Sequence, residues 1–400
     1  MNTLSLYMHM PFCVRKCRYC DFYSVPLSGN SPLVNKYIDA LSKEWEFYKY
    51  SGILDDKYIH TIYIGGGTPS LLNVDSWERL DKLLFSAFNK SQLKEWSVEC
   101  NPESFTIEKA RAYAESGVTR LTFGVQSLDA RELSVCGRAH GAERALEVLR
   151  YDCLNEMFDS IGVDIIYALP GQTVNTLDNT LSSILSIPSV KHISAYELTT
   201  AKNTPFGRHK KILPLPAEEL SAEMYELIGK RCAERGMVQY EVSNYALPGF
   251  ESVHNKAYWS HKPYIGLGAS AHSYIHPKRW SNIADVNQYI LSMSSISLTS
   301  YSKFKISNIS SIPPNTGAVN FEETLSPLEL SREIIFLGLR NEEGIDEEDF
   351  FAKTGIELCA DGRGERLQKY ADTGLLKRAG KKYIPTSKGM LFADMMAREL

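Results

Sequence analysis

Two periods of hydrophobic and polar positions alternate along this chain. Short β-branched and aromatic runs are separated by longer stretches in which apolar residues recur every three or four positions. The short runs predict strands at 5–9, 58–64, 96–100, 119–125, 161–167 and 192–198, with 238–242 as a candidate seventh. Between the first two, Leu33, Tyr37, Ile38, Leu41 and Trp45 share one helical face. A helix from about Thr106 ends at Gly117, where glycine can adopt the left-handed conformation that closes a helix. Strand then helix, six or seven times over, predicts an α/β fold: a parallel sheet covered by helices and curled into a partial or full (β/α) barrel.

Barrels of this kind carry their chemistry at the C-terminal ends of the strands, and the motifs fall there. A cysteine cluster follows the first strand and "GGGTPS" the second. Glu99 closes the third, Gln126 closes the fourth, Asp164 lies in the fifth and Tyr196–Glu197 end the sixth. Singly, each reads as a turn or a helix cap. Five polar or glycine-rich strand ends on one rim read as a site.

Composition narrows the class. A net charge of -4 argues against a nucleic-acid binder, which carries a basic surplus. No apolar run approaches the roughly 20 residues of a membrane-spanning helix, and no secretion signal opens the chain. Five scattered cysteines (Cys100, Cys136, Cys153, Cys232 and Cys359) read as small core residues, not as a disulfide framework, and point to a reducing cytoplasm.

The remaining three cysteines stand in "CVRKCRYC" as Cys13, Cys17 and Cys20. Thiolates this close can ligate a metal. Structural zinc wants four ligands, and only His9 is near enough in sequence to add one. An iron–sulfur cubane held by three cysteines keeps one iron open to a small molecule. The single cluster of three favours the cubane, with zinc as the alternative.

This spacing resembles the signature of the radical S-adenosylmethionine superfamily. "LYMHMPFC", "YCDFYS", "IGGGTPS", "GVQS", "GRAH" and "VDIIYALPGQT" resemble its branch of oxygen-independent coproporphyrinogen III oxidases and HemW-type heme chaperones. The resemblance implies a radical SAM barrel with a [4Fe-4S] cluster on Cys13, Cys17 and Cys20 and S-adenosylmethionine on its open iron. It implies that Tyr7 lies beside S-adenosylmethionine, that the Tyr19 backbone approaches the adenine, and that Gly66, Gly67 and Thr68 receive the methionine amino group. Glu99, Gln126, Arg138 and Asp164 match positions around the ribose and carboxylate. No catalytic residue is assigned.

Two departures separate the branches. The oxidases carry a further cysteine two residues after the third ligand, where this chain has Phe22. "HNKAYW", 254–259, matches the chaperones' His-Asn-x-x-Tyr-Trp signature, with His254 as candidate heme ligand and His261 and His272 nearby. The resemblance therefore implies a heme chaperone that delivers heme to apo-hemoproteins and needs a reductant for its cluster. The alternative is a radical decarboxylase of coproporphyrinogen III. A homodimer is left open.

The organisation expected is a barrel with its extension at 1–290, a serine-rich linker at 291–320 and a C-terminal module at 321–400. Ser326, Pro327 and Glu329 predict a capped helix start. A closing basic hairpin suggests a mainly helical, winged-helix-like lid or docking module, since Glu342, Glu343, Glu347 and Glu348 make it a poor nucleic-acid binder.

Overall fold

A computed structural model describes residues 2–55, 57–85, 90–295 and 317–400. The six expected strands form as β1 (Asn2–Met10), β2 (Lys57–Gly66), β3 (Glu95–Cys100), β4 (Arg120–Gln126), β5 (Ser160–Tyr167) and β6 (Val190–Glu197). They lie side by side in that order, all parallel. The 238–242 run does not supply a seventh parallel strand. Only β7 (Val238–Gln239) forms there, and it pairs antiparallel with β8 (Asn244–Ala246), itself antiparallel to β6. The seventh parallel strand is β9 (Tyr264–Leu267), on the far side of β1. Antiparallel strands β10 (His272–Ile275), β11 (Lys278–Asn282) and β12 (Val319–Thr324) extend that edge. The twelve-stranded sheet runs β12-β11-β10-β9-β1-β2-β3-β4-β5-β6-β8-β7 and does not close, so the barrel is partial.

Local rules explain the helices. In α1 (Pro32–Tyr50), Ser31 caps the N-terminus by accepting from the Leu33 amide, and Pro32 stands where no amide partner is needed. Its buried face is Val34, Tyr37, Ile38, Leu41, Trp45 and Tyr48, with Leu33 only partly covered. Helix α2 (Ile107–Ser116) stops at Gly117, whose φ of 94° is left-handed as expected. Helix α3 (Ala130–Cys136) leads to Arg138, and α4 (Val253–Trp259) carries the His-Asn-x-x-Tyr-Trp motif. The main core is apolar and includes the fully buried Trp45, Trp77, Trp96 and Trp280. Each such ring contributes roughly 2–3 kcal/mol by leaving water.

A second core holds the C-terminal module around Leu330, Ile335, Leu339, Phe350, Leu367 and Tyr383. It contains α5 (Pro327–Gly338), α6 (Glu347–Thr354) and α7 (Arg363–Asp372). A three-stranded sheet of β13 (Ile345–Asp346), β14 (Leu376–Ala379) and β15 (Lys382–Pro385) completes the winged-helix-like arrangement. The Ser326–Glu329 capping box forms. Residues 319–324, assigned above partly to the linker and partly to this module, instead extend the barrel sheet as β12. Most of the serine-rich segment, 296–316, lies outside the described residues. Tyr274 of β10 belongs to the second core, which joins module and sheet. Among the described residues no helix is long and apolar enough to cross a membrane.

Candidate functional site

The C-terminal ends of β1 to β6 do converge. Cys13, Cys17, Cys20, Gly67, Thr68, Glu99, Gln126, Arg138 and Asp164 line one cavity of about 500 Å³, with Tyr19 and Tyr196 in its wall. The cysteine loop is pinned at both ends. Residues Phe12–Cys13 pair with Val25–Pro26, the Arg18 amide donates to the Cys136 carbonyl at 2.9 Å, and the Phe206 amide donates to the Arg18 carbonyl at 3.0 Å. All eight cysteines are free thiols; of the five scattered ones Cys359 is exposed and Cys153 half-buried, not in the core as expected.

The thiols share the cavity, but no group of His, Cys, Asp or Glu among the described residues converges closely enough to hold a single metal ion. Three thiolates suit a cubane, which keeps one iron open, better than a tetrahedral zinc, which wants four ligands. The zinc alternative also loses His9. Its Nε2 donates to the Tyr23 carbonyl at 2.9 Å, so Nδ1 accepts from the Tyr7 hydroxyl at 3.0 Å, and burial lowers its pKa to about 4. Around the sulfurs the donors are in place. Thr68 Oγ1 donates to Cys13 Sγ and Arg138 Nη1 to Cys17 Sγ, each at 3.4 Å. Burial pushes the Cys20 thiol up to about 11 and raises Cys13 as well, so ligation would have to displace their protons.

Arg138 is buried, not a surface arginine. Nη2 donates to Asn101 Oδ1 at 2.7 Å and to the Gly124 carbonyl at 2.6 Å, and Nη1 also reaches the Tyr19 hydroxyl at 3.4 Å. Its fork is thus engaged within the protein, and only the buried Nε lacks a partner. Glu99 accepts from the Tyr63 hydroxyl at 2.7 Å and the Gly66 amide at 2.9 Å; burial raises its pKa despite these bonds. Burial first, then the Glu99 charge, pushes Asp164 up to about 7, and its Oδ1 is buried without a partner. Gln126 has a left-handed φ of 70° at the end of β4, a strained setting that aims it into the cavity. An unpartnered acceptor on Asp164, beside the Glu99 carboxylate and the Gln126 amide, suits a ligand rich in hydroxyl and amino groups.

Gly67 is bare because the chain itself passes there: a Cβ would lie 2.7–2.8 Å from the Met10 carbonyl and the Phe12 backbone. The glycine therefore seats the root of the cysteine loop, and its amide donates to the Met10 carbonyl. Gly66, with φ of 107°, leaves room for the His9 ring. Tyr7 lines a neighbouring cavity and not the one that holds the cysteines.

That cavity, about 610 Å³, shares Asp21, Phe22, Gly66, Glu99 and Tyr196 with the first. Its walls are aromatic: Tyr7, Tyr23, Tyr63, Tyr258, Tyr264 and Tyr274, joined by His9, His261, His272, Lys262 and Arg279. Glu333 and Leu337 of α5 complete it, so the C-terminal module forms one side. His254 is not in its wall. The ring is fully buried, Nδ1 shares a 2.8 Å hydrogen bond with Thr61 Oγ1, and Nε2 shares a 2.9 Å bond with the Tyr258 hydroxyl. Burial lowers its pKa to about 4. As placed, His254 positions Tyr258 and has no nitrogen to offer iron. His272 lines the cavity, is exposed, and has no side-chain hydrogen bond among the described residues.

Glu95, missed in sequence, anchors this region. It accepts from Ser252 Oγ at 3.1 Å, from the Val253 amide at 2.9 Å and from the His254 amide at 3.0 Å, and pairs with Arg120 at 3.1 Å. A carboxylate so placed holds the N-terminus of α4. The signal was there: a charged residue opening a strand of which all but Glu99 is buried.

Residues 7–184 match the Radical SAM superfamily and residues 325–392 the HemN C-terminal domain. The chain is 33% identical to the heme chaperone HemW of Lactococcus lactis subsp. lactis over 96% of this chain and 94% of that protein. It is 34% identical to HemW of Bacillus subtilis (98% and 97% covered) and 32% to HemW of Mycobacterium tuberculosis (100% and 95%). Among solved structures, coproporphyrinogen III oxidase (HemN) from Escherichia coli shares the fold, with a TM-score of 0.79 at 22% identity over 99% of this chain and 89% of that one. A radical SAM domain implies a [4Fe-4S] cluster and S-adenosylmethionine, and the full-length agreement establishes that the chain belongs to the HemW heme chaperone family.

Proposed function

We propose that this protein is a cytoplasmic heme chaperone. In this reading Cys13, Cys17 and Cys20 hold the cluster, the polar cavity takes S-adenosylmethionine, and the aromatic cavity beside it takes heme for delivery to apo-hemoproteins. When bound, the cluster and S-adenosylmethionine supply reductive chemistry at the iron that the three thiolates leave open, given an external electron donor. Thr68 and Arg138 donate to the sulfurs, while Glu99, Gln126 and Asp164 bind and orient polar groups of the ligand. Leu337 and Glu333 of the C-terminal module form one side of the aromatic cavity.

The observation that carries the reading is the aromatic cavity sharing a wall with the cysteine cavity. Tyrosine faces can pack on a porphyrin, and cations at the rim can meet its carboxylates. His272 would meet the heme iron in place of His254, because it lines the cavity and has no competing side-chain hydrogen bond among the described residues. The likeness to the oxidase supports a common fold and no more, and Phe22, 63% exposed where that branch has cysteine, favours the chaperone.

The test uses the full chain, reconstituted anaerobically with iron and sulfide. It should bind about four irons for a cubane, then one heme with a Soret shift, and pass that heme to an apo-hemoprotein. With S-adenosylmethionine, a reductant and coproporphyrinogen III it should form no protoporphyrinogen. Stoichiometric decarboxylation would overturn the reading in favour of the oxidase.

A further inference from the structure

We infer that Arg279 is the carboxylate receptor of the aromatic cavity, and that Glu333 is an internal carboxylate which holds it until a ligand's carboxylate takes its place. This deepens the tetrapyrrole reading and rests on it. Arg279 stands on β11 opposite Tyr274 of β10 and Glu323 of β12. Its Nε pairs with Glu323, and its Nη1 donates to Glu333 Oε2 at 3.0 Å. The other oxygen of Glu333 meets His261 Nε2 at 3.2 Å. Glu333 belongs to α5 of the C-terminal module, whereas His261 and Arg279 belong to the barrel's extension. The carboxylate is therefore a strut between module and barrel in the cavity's wall.

Exposure separates this cluster from an ion pair that only holds the fold. In the Glu95–Arg120 pair the side chains are 6% and 5% exposed. Arg279 is 39% exposed, and it lines the cavity together with Glu333 and the rings of Tyr264 and Tyr274. A planar guanidinium beside aromatic faces is suited to a flat ligand that carries carboxylates. Lys262, in the same wall, makes no ion pair among the described residues and offers a cation for a second carboxylate. A ligand carboxylate that replaces Glu333 at Arg279 releases the strut, so occupation of the cavity and attachment of the C-terminal module are coupled through one exchange.

The experiment compares heme with heme dimethyl ester, which keeps the ring and iron but lacks free carboxylates, on the cluster-loaded full chain. The unaltered protein should prefer heme by about ten- to a hundredfold, as expected for charge-assisted hydrogen bonds. Arg279→Gln should erase the preference by weakening heme while leaving the ester unchanged. Glu333→Gln, which removes the competing carboxylate, should tighten heme severalfold without affecting the ester. Equal binding of the two ligands by the unaltered protein, or an equal loss of both in Arg279→Gln, overturns the receptor and leaves the heme reading standing. Binding of neither ligand overturns both. If Arg279→Gln loses its cluster absorbance or melts early, Glu333→Gln decides alone, and unchanged heme affinity there overturns the inference.

Discussion

The two adjoining cavities differ less in size than in how the chain builds them. The polar one is assembled from consecutive strand ends of one repeating β/α unit, with side chains engaged by glycine-rich turns and short hydrogen bonds. The aromatic one draws on β1, β2, the α4 helix, the sheet extension and the C-terminal module, so it depends on contacts between distant segments. A parallel barrel fixes the first by its own topology, whereas the second holds only as long as those segments stay packed. Breakage should therefore fall unequally on the two.

The largest effect expected is on both cavities at once. Gly67→Val forces a side chain into the backbone of Met10 and Phe12, so it should cost the protein its cluster iron and, with it, S-adenosylmethionine binding. Gly117→Ala, with φ of 94° but nothing within 4 Å of an added Cβ, should cost only about 1 kcal/mol in denaturant unfolding and leave iron content unchanged. Iron assay of the two variants checks the contrast, and full iron in Gly67→Val would contradict it.

Next in size is a change aimed at the aromatic side alone. Glu95→Ala strands Arg120 and frees the start of α4, for a cost of about 3–5 kcal/mol, typical of breaking a buried pair. In conditions where the variant stays folded, heme affinity should fall while the iron–sulfur absorbance is kept. Equal loss of both would mean that the two cavities are not separable.

A smaller and pH-dependent effect belongs to the polar side. Asp164 is pushed from 3.8 up to about 7, by burial first and then by Glu99. In the cofactor-free protein the folded state thus binds its proton more tightly than the unfolded state, and stability is lost as pH rises from 3.8 through about 7. Asp164→Asn should remove that loss, so its melting temperature should gain on the unaltered protein as pH rises over that window. Parallel melting curves would contradict the assignment.

Legibility in the sequence follows the same division. The six parallel strands, the α1 face, the Gly117 cap and the Ser326 capping box rest on local rules, and the residues show them directly. The cysteine cavity was legible because a barrel sends every strand end to one rim. The short "YIGL" of β9, beside β1, was not, since four residues carry too little periodicity and its partner lies far away in sequence. The setting of His254 was hidden for a related reason. The sequence shows an imidazole among aromatic residues, but only packing shows Thr61 and Tyr258 taking up both nitrogens. The need for glycine at Gly67 was equally hidden, because the close neighbour is the chain's own backbone at Met10 and Phe12.

The central claim is that heme occupies the aromatic cavity beside the cluster with His272, not His254, facing its iron. The most direct measurement is the absorption spectrum of heme bound to cluster-loaded His272→Ala and to His254→Ala, each checked for intact iron content. The account predicts an altered Soret band in His272→Ala, and in His254→Ala a less stable protein whose bound heme keeps the unaltered spectrum. A changed Soret band in His254→Ala, with His272→Ala indistinguishable from the unaltered protein, would contradict it.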